Sequence, residues 1–258
     1  MGGAMMEGWL KAGVVPSQLV IFDPAPPAEI MTLIKNHNIS HNPDIEKLKN
    51  VEVILTAVKP QIMDVALEGI IALKAQNPLI LSIAAGKTIA SFEKHFGKDA
   101  AVIRTIPNTP SSVGRGITAM AANQNVTSNQ KQLASALLKS IGDVVEVENE
   151  KQIDAATGLS GSGPAYIFYM TECLAKAGIA QGLDPDLAMQ LARATVEGSG
   201  ELMRSSGIDA TTLRQNVTSP NGTTYAGLQV LMAKENGLED LMIKTVDAAT
   251  KRSIELAS

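Results

Sequence analysis

The sequence predicts an α/β chain of two domains. Residues 1–148 form a doubly wound parallel sheet whose first strand is missing, and residues 149–258 form an all-α domain. Three observations carry this. Short apolar runs alternate with amphipathic stretches as far as Val147, the pattern of parallel strands covered by helices on both faces. From Glu148 onward the short runs stop and apolar residues recur at helical spacing. The positions at which the strands would end carry small residues, prolines and donors, which suits the edge of an open sheet where ligands bind.

The elements follow in order. Met1 to Ala12 reads as a helix that begins abruptly with Met1, Gly2 and Gly3. Val20 to Phe22 is a strand ending at Asp23 and Pro24, followed by a helix with Ile30, Leu33 and Ile34 on one side. Val53 to Val58 is the next strand, and a helix after Pro60 carries Ile62, Val65 and Ile70. Further strands are expected at Leu79 to Ile83, Val102 to Thr105, Ile117 to Ala121 and Val144 to Val147, with a helix bearing Leu133, Leu137 and Leu138 before the last. Their carboxyl ends hold Asp23, then Ala57, Val58, Lys59 and Pro60, then Ala84, Ala85 and Gly86, then Pro107 to Pro110 with Asn108. Small residues and prolines there let a flat ring approach the backbone, while Lys59 and Asn108 offer donors. Asp23 follows Gly2 and Gly3 by about 20 residues, the spacing of a ribose-binding acid after a glycine turn. Asp23 as the cap of the following helix is the alternative.

In the second half, Ser162 is expected to cap and Pro164 to begin a helix holding Ile167, Met170, Leu174 and Ala177. Asp184 with Pro185 starts the next, and Asp209 caps a third that ends near Val217. The last helices run from Thr224 to Lys234 and from Leu238 to Leu256. Between them lies VTSPNGTTYAGL, Val217 to Leu228, where a polar loop broken by Pro220, Asn221 and Gly222 runs into an apolar helical repeat. A helix N-terminus offers unpaired amides and the positive end of a dipole, which together hold a carboxylate or phosphate without a basic side chain. An ordinary capped loop between helices is the alternative reading of these residues alone.

Composition narrows the function. The chain has 258 residues, 45% hydrophobic and 19% charged, with a net charge of -4 and one cysteine. With no long basic run, nucleic acid and anionic membrane are not the expected partners, and a small molecule is. No apolar run approaches the roughly 18 residues of a membrane helix. Cys173 alone builds neither a disulfide nor a thiolate metal site, so a reducing cytoplasm is expected. His37, His41 and His95 show no ligand spacing, so no metal is expected.

AVKPQ at Ala57, SIAAG at Ser82, RTIPNTP at Arg104, GLSGSGPAYIF at Gly158 and VTSPNGTTYAGL at Val217 together resemble the bacterial pyrroline-5-carboxylate reductases, from end to end. The resemblance implies a Rossmann-like N-terminal domain, a helical domain for substrate binding and dimerisation, and reduction of 1-pyrroline-5-carboxylate to L-proline by NADH or NADPH. It implies that Asn42, Ala57, Lys59 and Ala85 line the cofactor and that Ser219, Gly222, Thr223 and Thr224 surround the cyclic imine, with Asn216 beside them. The strand-end reading adds Gly2, Asp23, Val58, Pro60, Gly86 and Asn108 on the cofactor side. Thr224 is the expected hydrogen-bond partner of the ring nitrogen. Asp23 favours NADH, since a carboxylate accepts from a ribose 2′-OH and repels a 2′-phosphate. The alanine, glycine and methionine content of the helical half suggests that some apolar surface is buried between chains, and with the resemblance a homodimer or a dimer-based higher oligomer is expected.

The chain departs from that family in three places: the first strand with its first two glycines is missing, Asn221 stands where glycine is commoner, and Asp23 where serine or arginine often stands. The β-hydroxyacid dehydrogenases share the two-domain plan, but they place a catalytic lysine four residues after a similar GSG, where this chain has Ile167. A non-catalytic dinucleotide-binding protein is the other alternative, opposed by the intact Thr224 loop. Since a doubly wound sheet buries its first strand centrally, the reading frame is expected to extend about ten residues upstream, with Gly2 as the third glycine of the turn.

Overall fold

The computed structural model describes residues 1–257, in two compact units. The first comprises residues 1–161 with the last turns of the final helix from Ala249, and the second runs from Ser162 to Ala248.

The first unit opens with helix α1 (Gly2–Lys11), strand β1 (Val20–Ile21), α2 (Ala28–Asn36) and β2 (Ser40–His41). β1 and β2 pair in parallel as a sheet of their own. Strands β3 (Val53–Thr56), β4 (Leu79–Ser82), β5 (Val102–Ile106), β6 (Gly116–Ala122) and β7 (Gly142–Glu146) form a second sheet in sequence order. Between them run α3 (Met63–Ile70), α4 (Ile89–Phe96) and α5 (Ser128–Leu138). β3, β4 and β5 are parallel with Thr56 opposite Ser82 and Ser82 opposite Arg104, so their carboxyl ends share one edge.

The alternating pattern implied parallel strands throughout, and one strand differs. β6 is antiparallel to β5. The link between them is a single 3-10 turn, Thr109–Val113, and a parallel return needs a crossover of a dozen residues or more. β7 is parallel to β6, because α5 supplies that crossover.

Both faces of the sheet are covered. Met5 and Trp9 of α1 and Ala134 and Leu138 of α5 pack on Leu79, Leu81, Ile103 and Met120. Met63 and Leu67 of α3 and Ile89, Phe92 and Phe96 of α4 pack on Ile54, Ile80 and Val102. Full burial of each large apolar side chain contributes about 1.5–3 kcal/mol, and the Trp9 indole also donates to the Leu137 carbonyl at 2.8 Å. Helix α1 reaches over the small sheet as well, where Met6 meets Ile34 and Ile39.

Helix α6 (Lys151–Ala156) continues into a π-helical turn, Thr157–Gly161. Its Ile153 is buried with Ile106, Ala119 and Ala121 of the sheet. The first stretch of the first compact unit therefore runs to Gly161, past the 148/149 position at which the apolar period changes.

The second unit holds α7 (Gly163–Ala180), α8 (Pro185–Ser206), α9 (Ala210–Asn216), α10 (Thr223–Leu231) and the start of α11 (Leu238–Ala257). Asp184 accepts from the amides of Asp186 and Leu187, and Asp209 from that of Thr212. Ser162 makes no such bond: its backbone is already helical (φ -86°, ψ -20°), and a capping side chain needs an extended one. Small residues bring α7 and α8 together: Ala175, Ala188 and Ala192 are buried, and a Cβ on Gly178 would stand 3.3 Å from that of Ala188. Much of the apolar surface is left open, with Phe168, Tyr169, Val230 and Ile243 each more than 60% exposed. Apolar surface on this scale marks a surface that another chain covers.

Candidate active site

The strand ends of the first unit gather the expected cofactor residues. Ala57 and the exposed Lys59 follow β3, Val58 and Pro60 with them; Ala85 and Gly86 follow β4; Asn108 follows β5. Gly2, the first residue of α1, lies against this edge: a Cβ there would stand 3.1 Å from the Ala57 Cβ. Met1 provides no side-chain cap for α1. Its first amides are open, as a helix start that receives a phosphate requires. A close-approach glycine and an uncapped ten-residue helix fit the pyrophosphate of a dinucleotide.

Asp23 and Asn42 sit beside the ends of β1 and β2. Asn42 adopts a left-handed backbone, φ 48°, and its side chain clasps the Asp23 backbone: Oδ1 accepts from the Asp23 amide at 3.0 Å and Nδ2 donates to the Asp23 carbonyl at 2.9 Å. His41 Nε2 lies 2.9 Å from the same carbonyl. The amide of Asn42 thus holds two strand ends together, a structural task that the resemblance did not imply. Asp23 Oδ1 accepts from the Ala25 amide at 2.9 Å. That bond closes a local turn and leaves Pro27 as the N-cap of α2, so Asp23 is not the helix cap.

Asn108 is likewise engaged. Its Oδ1 accepts from the Ile117 amide at 3.0 Å and its Nδ2 donates to the Ser160 carbonyl at 3.2 Å, tying the PNTP loop to the π-helical turn. Lys87, next to Gly86, donates to both Asp64 oxygens at 3.2 and 3.3 Å. The Lys87 hydrogen bond and charge hold the Asp64 carboxyl below its usual range.

The expected substrate residues lie together in the second unit. Asn216 ends α9, and the loop closes by a Gly222 amide to Ser219 carbonyl bond of 3.0 Å. Asn221 holds the left-handed position of the turn at φ 56°, which asparagine tolerates in place of glycine. Gly222 is the N-cap of α10 and brings no side-chain cap; a Cβ there would stand 2.5 Å from Ser219 Oγ. The amides at the start of this nine-residue helix therefore remain open beside the exposed Thr223 and Thr224 hydroxyls.

A family model described as pyrroline-5-carboxylate reductase dimerisation matches residues 150–256, and one described as NADP oxidoreductase, coenzyme F420-dependent, matches residues 1–86. A pyrroline-5-carboxylate reductase of Synechocystis is 41% identical over 261 residues, covering 99% of this chain and 96% of that protein. The chain belongs to the pyrroline-5-carboxylate reductase family. A family member from Pisum sativum is 36% identical over 259 residues, covering all of this chain and 93% of that one. Among solved structures, the Coxiella burnetii reductase superposes with a TM-score of 0.91 at 32% identity, covering 100% of this chain and 95% of that one. The Plasmodium falciparum pyrroline carboxylate reductase, with NADP bound, gives 0.80 at 30% identity with the same coverage. The Rossmann-like and helical halves of this chain are the family's fold, its cofactor is a nicotinamide dinucleotide, and the chain forms a homo-oligomer. Among the described residues no helix is long and apolar enough to cross a membrane.

One group escaped the sequence reading. Arg104, quoted there only as part of a motif, is 2% exposed. It donates to Glu150 Oε1 at 3.2 Å and to Asp154 Oδ1 at 2.9 Å, and Ser253 Oγ donates to the same Asp154 oxygen at 2.9 Å. A charge inside a buried strand was the available signal, since it demands partners; Glu150 and Asp154, four apart on one helix face, were the candidates.

Proposed function

We propose that this chain reduces 1-pyrroline-5-carboxylate to L-proline at the start of α10, with the uncapped helix and its Ser219–Gly222 turn as the observation that supports it. Bound at the strand ends of the first unit, the dinucleotide supplies the hydride. The chain's residues have three tasks: to hold the carboxylate, to orient the ring, and to favour the protonated iminium. The open amides at Thr223 and Thr224 bind the carboxylate with the helix dipole behind them. Ser219 and Thr223 add hydroxyl donors, Gly222 admits the ligand to the backbone, and Asn216 borders the site. The Thr224 hydroxyl hydrogen-bonds the ring nitrogen as the carbon of the C=N bond accepts the hydride. A threonine hydroxyl is too weak an acid to protonate that nitrogen, so its part is orientation.

On the cofactor side Gly2, Ala57, Val58, Lys59, Pro60, Ala85, Gly86 and Asn108 border the dinucleotide. Asp23, its turn fixed by Ala25 and its backbone by Asn42, accepts the ribose hydroxyls and disfavours a 2′-phosphate, making NADH the preferred cofactor. The assembly is a homodimer or is built from dimers. The exposed, free Cys173 suits the reducing cytoplasm. Oxidation of NADH followed by fluorescence, with and without the cyclic imine, tests the whole reading: binding without imine-dependent turnover would mean a dinucleotide-binding protein and not a reductase.

A further inference from the structure

The loop from Ala84 to Thr88 is held at three points, and two of them lead back to one buried side chain. At its start the Ala84 amide donates to Ser82 Oγ at 3.3 Å. At its exit the amide of Ile89, the first residue of α4, donates to Glu150 Oε1 at 2.7 Å, and Arg104 binds that same oxygen. Its middle is covered by the end of α11, which belongs to the first unit. Gly86 has φ 71°, and a Cβ on it would stand 3.0 Å from the Leu256 carbonyl oxygen. One helical turn before Leu256, Ser253 is anchored on Asp154, which Arg104 also binds.

We infer that Arg104 is a positioning residue for the cofactor loop at residues 84–88, acting through Glu150 on the loop's exit and through Asp154 and Ser253 on the helix end that covers Gly86. The guanidinium suits this task. Its planar fork serves two carboxylates at once in fixed directions, so α6 and the end of α11 take their positions from β5, which lies in the middle of the sheet. A flexible hydrated ammonium cannot do the same, nor can an apolar pair, which would fill the space but leave the Ile89 amide and the Ser253 hydroxyl without their acceptors. Placing the loop matters because hydride transfer depends steeply on the position of the nicotinamide, and displacement by about 1 Å can cost roughly a hundredfold. The inference rests on the reading of Ala85 and Gly86 as cofactor-lining.

Two variants test it. Arg104→Lys keeps the charge and loses the fork, and Ser253→Ala removes only the bond that anchors α11. Each is expected to raise the Kd for NADH, by about tenfold and about threefold respectively, with the KM for the imine nearly unchanged. Amide exchange in the protein without cofactor provides a second measurement: Ala85, Gly86 and Lys87 should exchange faster in both variants while His37 and Ile39 do not change. A purely structural role would lower the melting temperature and speed exchange throughout the unit while leaving the Kd of the folded protein as it was. That result, or wild-type exchange at residues 85–87, overturns the inference. If exchange is selectively faster but the wild-type protein shows no NADH binding, the positioning stands and the cofactor reading fails.

Discussion

The substitution Gly222→Ala isolates the loop geometry from its chemistry. At φ -79° the backbone accepts alanine, so no conformational strain arises there. The new methyl would lie 2.5 Å from Ser219 Oγ and 3.1 Å from the Ser219 carbonyl oxygen. Both are shorter than the roughly 3.5 Å of an ordinary van der Waals contact. The hydroxyl can rotate away, whereas the carbonyl has to move by a few tenths of an ångström and takes with it its bond to the residue 222 amide. The loop is exposed, so stability should fall by no more than about 1 kcal/mol. The displaced hydroxyl, however, is a proposed donor to the substrate carboxylate. A hydrogen bond to a charged group contributes about 1.5 to 3 kcal/mol, so kcat/KM for the imine should fall roughly tenfold to 150-fold. Steady-state kinetics with NADH saturating, beside a thermal melt, reads both quantities, and the NADH affinity should be that of the parent. Parental kcat/KM in a variant shown to be folded would refute the placement of the substrate at this turn.

Four further outcomes are expected. Thr224→Ala should lower turnover about tenfold to a hundredfold with NADH affinity unchanged, and Thr224→Ser should keep most activity; full turnover in the alanine variant would remove Thr224 from the site. Asp23→Ser should improve the use of NADPH relative to NADH, and an unchanged ratio of the two kcat/KM values would contradict the part given to Asp23. Arg104→Met should cost about 3–5 kcal/mol in urea unfolding at fixed protein concentration, because Asp154 and Glu150 lose their counter-charge, and adding Asp154→Leu should restore part of it; a loss below about 1 kcal/mol would mean the carboxylates are not desolvated. Thr56 Oγ1 is buried without a hydrogen-bond partner among the described residues, so Thr56→Val, which keeps the shape and drops the unsatisfied hydroxyl, should leave stability unchanged or raise it by about 1 kcal/mol. A substantial loss of stability would show that the hydroxyl has a partner such as an ordered water.

Some elements are legible in local sequence and others are not. Ile89, Phe92 and Phe96 recur at helical spacing behind Thr88, whose side chain accepts from the Ser91 amide, so α4 is legible in the sequence. β2 is not: Ser40–His41 is two residues long, too short to carry a period, and exists because β1 pairs with it. The antiparallel turn to β6 could have been inferred from the shortness of the link at Thr109–Val113. The need of Arg104 for acidic partners is legible in the same way, but which carboxylates it meets and the link onward to Ser253 are not, for Asp154 lies 50 residues from Arg104 and Ser253 a further 99 beyond Asp154.

What the sequence by itself determined is what depends on neighbours along the chain. The strand period of β3, β4 and β5, the helical period from α7 onward, the caps at Asp184 and Asp209, and the open helix start after Gly222 are all set by residues within a turn or two of one another, where periodicity and turn chemistry act. Tertiary structure alone decided what depends on residues far apart. It assigned α6 and the end of α11 to the first unit, since Ile153 and Ser253 are buried only against the sheet and its helices. It engaged Asn42, expected to line the cofactor, and Asn108, expected to offer a donor there, in clasps between loops, because each side-chain amide meets a backbone group that only the folded chain brings within reach. A polar side chain bonds to the groups within its reach, and which groups are within reach is a property of the packed fold.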